Sequence, residues 1–241
     1  MNDSLYTSIN ALEAAQVSVN KLSQNLSNMN SVSYKKEVVG FSEISFSKEI
    51  NSQKTVSSHV ITDFSQGNVT ATGNPFDVAI EGSGFMEVVN QNGDVFYTRK
   101  GSLQLDEMGY LSVDGNYRIS SDIQIPSDIK GLVIANNGDV VGSLGDVGSV
   151  QIGKIELYSL NEQSLVKQSG GLYSLESENG IRQLDNDDSA IMVQGYLELS
   201  NVDMTSELMG MVLAQSMFQA NAKVFQVSDE LIDDVNSMLK V

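Results

Sequence analysis

Near the start of the chain, Leu5, Ile9, Leu12, Val19, Leu22, Leu26 and Met29 are spaced by 4, 3, 7, 3, 4 and 3 positions. That rhythm places them on one stripe of an amphipathic helix with a near-heptad seam. Alanines at 11, 14 and 15 add helix propensity and leave room for a close neighbour. The polar run from Ser27 to Ser33 predicts where the helix stops. A second stripe closes the chain: Leu208, Met211, Gln215, Phe218, Ala222, Phe225, Asp229, Ile232 and Leu239, with Gln215 and Asp229 as polar interruptions. Asp203 is the expected N-cap, and Glu207 sits in the first turn, where the helix dipole favours negative charge. At about 1.5 Å per residue, a helix from position 203 to near the end exceeds roughly 50 Å and needs a partner surface.

Between the two stripes the pattern changes to short alternating runs. Val78-Ala79-Ile80, Phe85 to Val89, Val95 to Thr98, Ser102 to Leu105, Tyr117 to Ile119, Leu132 to Ile134 and Gly153 to Tyr158 predict strands. Asn92-Gly93-Asp94, Glu107-Met108-Gly109, Asp114-Gly115-Asn116, Asn137-Gly138-Asp139 and Glu178-Asn179-Gly180 punctuate them, and Asn-Gly or Asp-Gly at such spacing signals hairpins. Glycine follows the same division. All 20 glycines lie between Gly40 and Gly210, and both prolines, Pro75 and Pro126, lie in that span, so the ends are free of helix breakers.

The expected fold is α+β: long N- and C-terminal helices pairing as a coiled-coil-like stalk, with a central, mainly antiparallel β-domain. The expected divisions are an N-terminal assembly helix and turn (1–39), an extended linker (40–75), the β-domain (76–199) and a C-terminal assembly helix (200–241). The other reading of the same pattern is an α+β domain whose end helices cover its own sheet.

Charge sharpens the division. The formal net charge is −17, from 31 acidic and 14 basic residues. Residues 1–39 are net neutral and 200–241 carry −4, leaving −13 on the middle. The ends therefore suit packing and the middle suits water. So acidic a chain is a poor partner for nucleic acid or an anionic membrane surface. Apolar residues make up 41% of the chain, enough for a core, and no run approaches the roughly 18–20 residues that would cross a bilayer. Met1-Asn2-Asp3-Ser4-Leu5 lacks the basic and apolar regions of a secretory signal, so any export is expected without a cleaved leader.

Catalytic chemistry finds little footing. The absence of cysteine removes disulfides, thiolate nucleophiles and Cys-based metal sites. His59 is the sole histidine, in a Ser/Thr-rich stretch, with no Gly-x-Ser-x-Gly elbow. Gly82-Ser83-Gly84 meets Glu87 where a dinucleotide loop needs glycine, and reads as a turn. Asp185-Asn186-Asp187-Asp188 could face a hard cation, but Ala190 and Tyr196 stand where an EF-hand needs Gly and Glu. Any acidic protein supplies paired carboxylates for glycoside chemistry, and the lack of tryptophan weighs against a sugar platform. Met204, Met209, Met211, Met217, Phe218 and Phe225 read as packing surface, not as a cofactor groove. No catalytic, cofactor or metal residue is expected. The interface residues expected are Leu5, Ile9, Leu12, Val19, Leu22, Leu26, Leu208, Met211, Gln215, Phe218, Ala222, Phe225, Ile232 and Leu239.

Three separated blocks carry a family resemblance. Asn25-Leu26-Ser27-Asn28-Met29-Asn30-Ser31-Val32-Ser33-Tyr34-Lys35 resembles the N-terminal signature of the flagellar rod and hook proteins, departing at Gln24, Ser27, Ser31 and Ser33. At Ser33 the family usually has glycine. Thr72-Gly73-Asn74-Pro75-Phe76-Asp77-Val78-Ala79-Ile80-Glu81-Gly82-Ser83-Gly84-Phe85 is similar to the family's entry into its β-domain, and Phe96 to Gly101 and Asp106 to Leu111 continue it. Gly195-Tyr196-Leu197-Glu198-Leu199-Ser200-Asn201-Val202-Asp203 forms the third block. Gln215, Gln219, Asn221, Ala222 and Lys223 follow it, with Ser216 where arginine is common. The resemblance implies a structural subunit, not an enzyme. It would be exported through the flagellar type III apparatus, polymerise through its terminal helices and lie in the periplasmic rod of the basal body. Its partners would be further copies and other rod or hook subunits, with no cofactor. A chain of 241 residues favours a proximal or distal rod protein, with a compact hook protein as the alternative.

Overall fold

A computed structural model describes residues 2–46, 53–145, 148–175, 181–184 and 190–238 of the chain. They divide into two compact units, one of residues 1–29, 36–63 and 202–241, the other of 30–35 and 64–201.

In the first unit the two ends form α1 (Asn2–Ser27) and α2 (Met204–Met238), the second with Gly210 near its start. α1 stops at Ser27, where the polar run begins. α2 opens on its expected cap: the Asp203 carboxylate accepts the Ser206 backbone N–H at 2.9 Å and its hydroxyl at 2.7 Å. β1 (Glu37–Phe46) and β2 (Gln53–Thr62) pair antiparallel, with Glu37 opposite Thr62 and Phe46 opposite Gln53. Much of the segment expected as an extended linker is therefore in strands.

The coiled-coil-like stalk is overturned. Pairing of that kind buries the a and d side chains of both helices along their length. Here Ile9 is exposed on α1, as are Leu208 and Phe218 on α2. The buried positions are instead Ser8, Ala14, Ala15 and Asn25 on α1, and Glu207 and Ala214 on α2. Small residues set this approach: a Cβ at Gly210 would stand 3.1 Å from the Leu22 side chain. The β1–β2 hairpin also lies against α1, so the unit is two helices and a ribbon.

The second unit holds all the remaining described strands. β3 (Val69–Ala71), β4 (Val78–Glu81), β5 (Phe85–Val89) and β6 (Val95–Thr98) come first. β7 (Leu103–Leu105), β8 (Leu111–Val113), β9 (Tyr117–Ile119), β10 (Gly131–Ile134) and β11 (Asp139–Ser143) follow. β12 (Ser149–Lys154), β13 (Leu157–Ser159), β14 (Leu165–Lys167) and β15 (Leu172–Leu175) come next. β16 (Arg182–Leu184), β17 (Ile191–Gln194) and β18 (Tyr196–Glu198) complete it. The expected strand from Gly153 to Tyr158 breaks at Ile155 and Glu156 into the end of β12 and the start of β13.

Every pairing among these strands is antiparallel. The largest sheet runs β14-β15-β6-β5-β9-β8-β7, with β13 bridging β5 and β16. β10, β11 and β12 form a second sheet, while β17 pairs with β4 and β18 with β3. The last two strands thus return to the first two. β8 turns into β9 at Asp114 and Gly115, whose φ values of 53° and 73° suit the left-handed turns of tight hairpins.

The core explains the continuous apolar run at β4. Val78, Ala79 and Ile80 are all buried, so both faces of that strand are covered. Val78 and Ile80 join Met86, Val88, Leu111, Val113, Ile119, Ile155 and Met192 in one cluster. A smaller aromatic cluster stacks Phe64, Phe85 and Tyr173 edge to face, with centroids 5.1–6.0 Å apart.

Candidate assembly surface and the contacts that hold it

In the helical unit, Asn25 is the hub. Its side-chain amide donates to the Glu37 carbonyl at 2.9 Å and to the Glu207 carboxylate at 3.0 Å, while its carbonyl oxygen accepts the Glu37 N–H at 3.0 Å. One amide thereby imitates a strand neighbour for β1 and fastens α1 to the first turn of α2. Lys21 adds an ion pair to Glu37 at 2.5 Å. Glu207, expected to answer the helix dipole, is buried and holds Asn25 as well. An open groove of about 610 Å³ runs past Ala11, Ala15, Val38, Phe41, Leu213 and Met217.

The expected interface residues fall into two groups. Leu12, Val19, Leu22 and Leu26 on α1 are half-buried, as are Met211, Ala222, Phe225 and Ile232 on α2. Ile9, Leu208, Gln215 and Phe218 are exposed. Leu5 lies in α1, and Leu239 lies outside the described residues, as does the Asp185 to Asp188 cluster. The structure adds residues the spacing did not single out. Val212 and Leu213 are 63% and 64% exposed, and Val224, Val227 and Leu231 extend the apolar surface along α2.

In the β unit, the family-like blocks converge on a buried charge network. Lys35 donates to one Glu198 oxygen at 2.7 Å and to the Ser65 carbonyl at 2.7 Å. Arg99 reaches the other Glu198 oxygen at 3.1 Å and donates to the Gly84 and Ile80 carbonyls at 2.9 and 3.1 Å. The Gly67 N–H completes the shell of Glu198 at 2.9 Å. The side chains of Lys35 and Glu198 are fully buried. Burying charges is tolerable only when they are paired and hydrogen-bonded to this degree.

Other motif residues serve backbone closure. Ser33 adopts φ 54°, the left-handed region where glycine is at ease, and its hydroxyl donates to the Arg99 carbonyl at 2.9 Å. Asn28 caps the Gln24 carbonyl at 2.8 Å, and Asn30 is exposed. Lys167 sits over the Tyr34 ring at 4.2 Å. Asn201 donates to the Ser65 carbonyl at 3.1 Å, beside the buried Ser200. Val202 is half-buried and leads to the Asp203 cap.

Within the second block, Gly73 has φ 71° and Asn74 donates to Asp77 at 3.0 Å. The Pro75 carbonyl accepts from Gln194 at 2.8 Å. Gly82 donates to Gln66 at 3.1 Å, and Phe85 lies beneath Arg99 at 5.7 Å. The charge network was absent from the sequence-based expectations. Its signal was a charge inside each apolar strand context: Arg99 after Tyr97-Thr98, and Glu198 between Leu197 and Leu199.

Among the described residues, no helix is long and apolar enough to cross a membrane, and no cluster of three or more His, Asp or Glu side chains could hold a metal ion.

Two family models match this chain. "Flagellar hook protein FlgE/F/G D1 domain" covers residues 79–142, and "Flagellar basal body rod FlgEFG protein C-terminal" covers 193–238. Flagellar basal-body rod protein FlgG of Buchnera aphidicola subsp. Schizaphis graminum is 27% identical over 99% of this chain and 100% of its own. Over both matched segments, and end to end against this relative, the chain is similar to the flagellar basal-body rod and hook protein family. Other relatives in this family align end to end as well. FlgG of Bacillus subtilis is 29% identical, covering 96% of this chain and 97% of its own. Flagellar hook-basal body complex protein FlhP of the same organism is 26% identical over 98% of both. The D1 match spans β5 to β10 and most of β11, and the C-terminal match spans β18, Glu198, the Asp203 cap and all of α2.

Proposed function

We propose that this chain is a structural subunit of the flagellar rod that self-associates through its terminal helices into a hollow, torque-transmitting tube. The observation that carries the reading is the surface of α2. Its 35 residues span about 52 Å and hold Val212, Leu213, Met217, Val224, Val227 and Leu231 in water. An exposed apolar surface of this length marks an interaction site. A contact between copies that is head-to-tail and does not close generates a helical filament. The end-to-end alignment with proteins named FlgG supports a rod subunit over a compact hook protein. On this reading the chain leaves through the flagellar export apparatus, joins other rod or hook subunits and stands in the periplasmic part of the basal body. Its β unit supplies bulk and solvated charge, with a mechanical role instead of a catalytic one.

Sedimentation of the purified chain tests the proposal. The intact chain is expected to form filaments, whereas Val212→Asp with Leu213→Asp stays soluble with unchanged thermal unfolding. Intact tubes from the double variant, or from a chain lacking 204–241, would refute assembly through α2.

A further inference from the structure

Half of the ten methionines, Met204, Met209, Met211, Met217 and Met238, lie on α2. Their surroundings differ sharply from those of the core methionines. Met209 and Met238 are 64% and 77% exposed, and Met204 and Met217 are exposed as well, whereas Met86 and Met192 are 0% and 1% exposed. Met211 is half-buried. A thioether packs as an apolar group, but its sulfur lone pairs remain open to electrophilic oxygen. The same side chains that give α2 an adaptable apolar surface are therefore its chemically soft points.

We propose that Met204, Met209, Met217 and Met238 form a peroxide-sensitive set in the unassembled subunit, and that their conversion to sulfoxides blocks assembly. The inference rests on the assembly role of α2 proposed above. The co-reactant is a hydroperoxide. The sulfur lone pair attacks the terminal peroxide oxygen, the O–O bond breaks, and water or an alcohol leaves. Sulfur is oxidised by two electrons and the peroxide is reduced. Sulfoxides at Met204, Met209 and Met217 place a strongly polar S–O group within about two turns of Leu208, Val212 or Leu213, which present hydrocarbon, and one at Met238 does so at the far end of α2. A partner covering that surface would have to bury it without a hydrogen-bond donor supplied by these neighbours. The lone exposed methionine of the β unit, Met108, is a built-in control, because it is 66% exposed but remote in sequence from α2.

The test treats the full-length chain with hydrogen peroxide, maps the oxidised peptides by mass spectrometry and measures filament formation by sedimentation. Met204, Met209, Met217, Met238 and Met108 are expected to gain oxygen while Met86 and Met192 stay reduced; oxidation of the core pair at the same rate would overturn the proposal. The untreated chain is expected to assemble and the treated chain to remain soluble. A variant with Met204→Leu, Met209→Leu, Met217→Leu and Met238→Leu is expected to assemble before and after treatment, although it keeps Met108. Treated wild type that assembles as well as untreated, or a variant that still loses assembly, overturns the proposal and leaves the rod reading standing. Failure of the untreated chain to assemble removes the rod reading, and this inference with it.

Discussion

Lys35 and Glu198, 163 positions apart in the chain, meet at 2.7 Å with neither side chain reaching solvent. Removing one member of such a pair leaves a buried charge without compensation, at a cost of about 3–5 kcal/mol. Glu198→Ala strands both Lys35 and Arg99, so it is expected to destabilise the β unit most. Lys35→Met leaves Glu198 paired with Arg99 and is expected to cost less. Denaturant unfolding followed by tyrosine fluorescence measures both, and equal or negligible losses would contradict the ranking.

Ser33 combines a left-handed backbone with a buried hydroxyl that donates to Arg99. Ser33→Ala keeps the strain and loses the hydrogen bond, for an expected loss of about 1–2 kcal/mol. Ser33→Gly loses the same bond but recovers about 1 kcal/mol of backbone strain. The glycine variant should therefore be the milder of the two by thermal unfolding. The opposite order would show that the left-handed backbone at position 33 holds no strain for glycine to relieve.

Gly101 admits no side chain. A Cβ there would lie 1.5 Å from the Val78 carbonyl oxygen, in a place where the Val78 N–H donates to the Gly101 carbonyl at 2.9 Å. Both clashing groups are backbone, so neither can rotate away. Gly101→Ala is expected to cost on the order of 4 kcal/mol or more, among the larger effects of single substitutions. Strongly reduced soluble yield, or a lowered unfolding midpoint, reads the effect.

How much of this was legible beforehand differs from element to element. Helix positions followed from breaker-free spacing, and the Asp203 cap followed from residue type alone. Their partners did not. A near-heptad rhythm identifies an apolar stripe without saying what covers it, and here Ala14, Ala15, Gly210 and Ala214 decide the approach while Phe218 faces water. β1 and β2 went unread because Ser42, Ser45, Thr55, Ser57 and Ser58 dilute their apolar alternation. The Lys35–Glu198–Arg99 network stayed hidden for another reason. A pairing across most of the chain has no local pattern, and charged residues are ordinarily assigned to the surface.

The N-cap of α2 sets a pH dependence. Hydrogen bonds from the Ser206 hydroxyl and N–H hold the Asp203 carboxyl below its ordinary value of 3.8. A folded value below the unfolded one means that the stabilisation is fully present above the unfolded value. It is lost as pH falls through the lowered folded value. Helical circular dichroism is therefore expected to hold down to about pH 4 and then decline. In Asp203→Asn this component of the decline disappears, and a variant that declines identically to wild type would exclude Asp203 as the titrating cap.

The return of β17 and β18 onto β4 and β3 fixes the order in which the β unit can be completed. A chain that emerges amino end first presents Lys35 and Arg99 long before Glu198 arrives to neutralise them. Until then their burial is opposed, and the first strands of the unit lack the last ones as neighbours. Closure is thus a late event that waits for almost the whole polypeptide. A chain that lacks its last strands leaves the β unit open, and only a nearly complete one can close it.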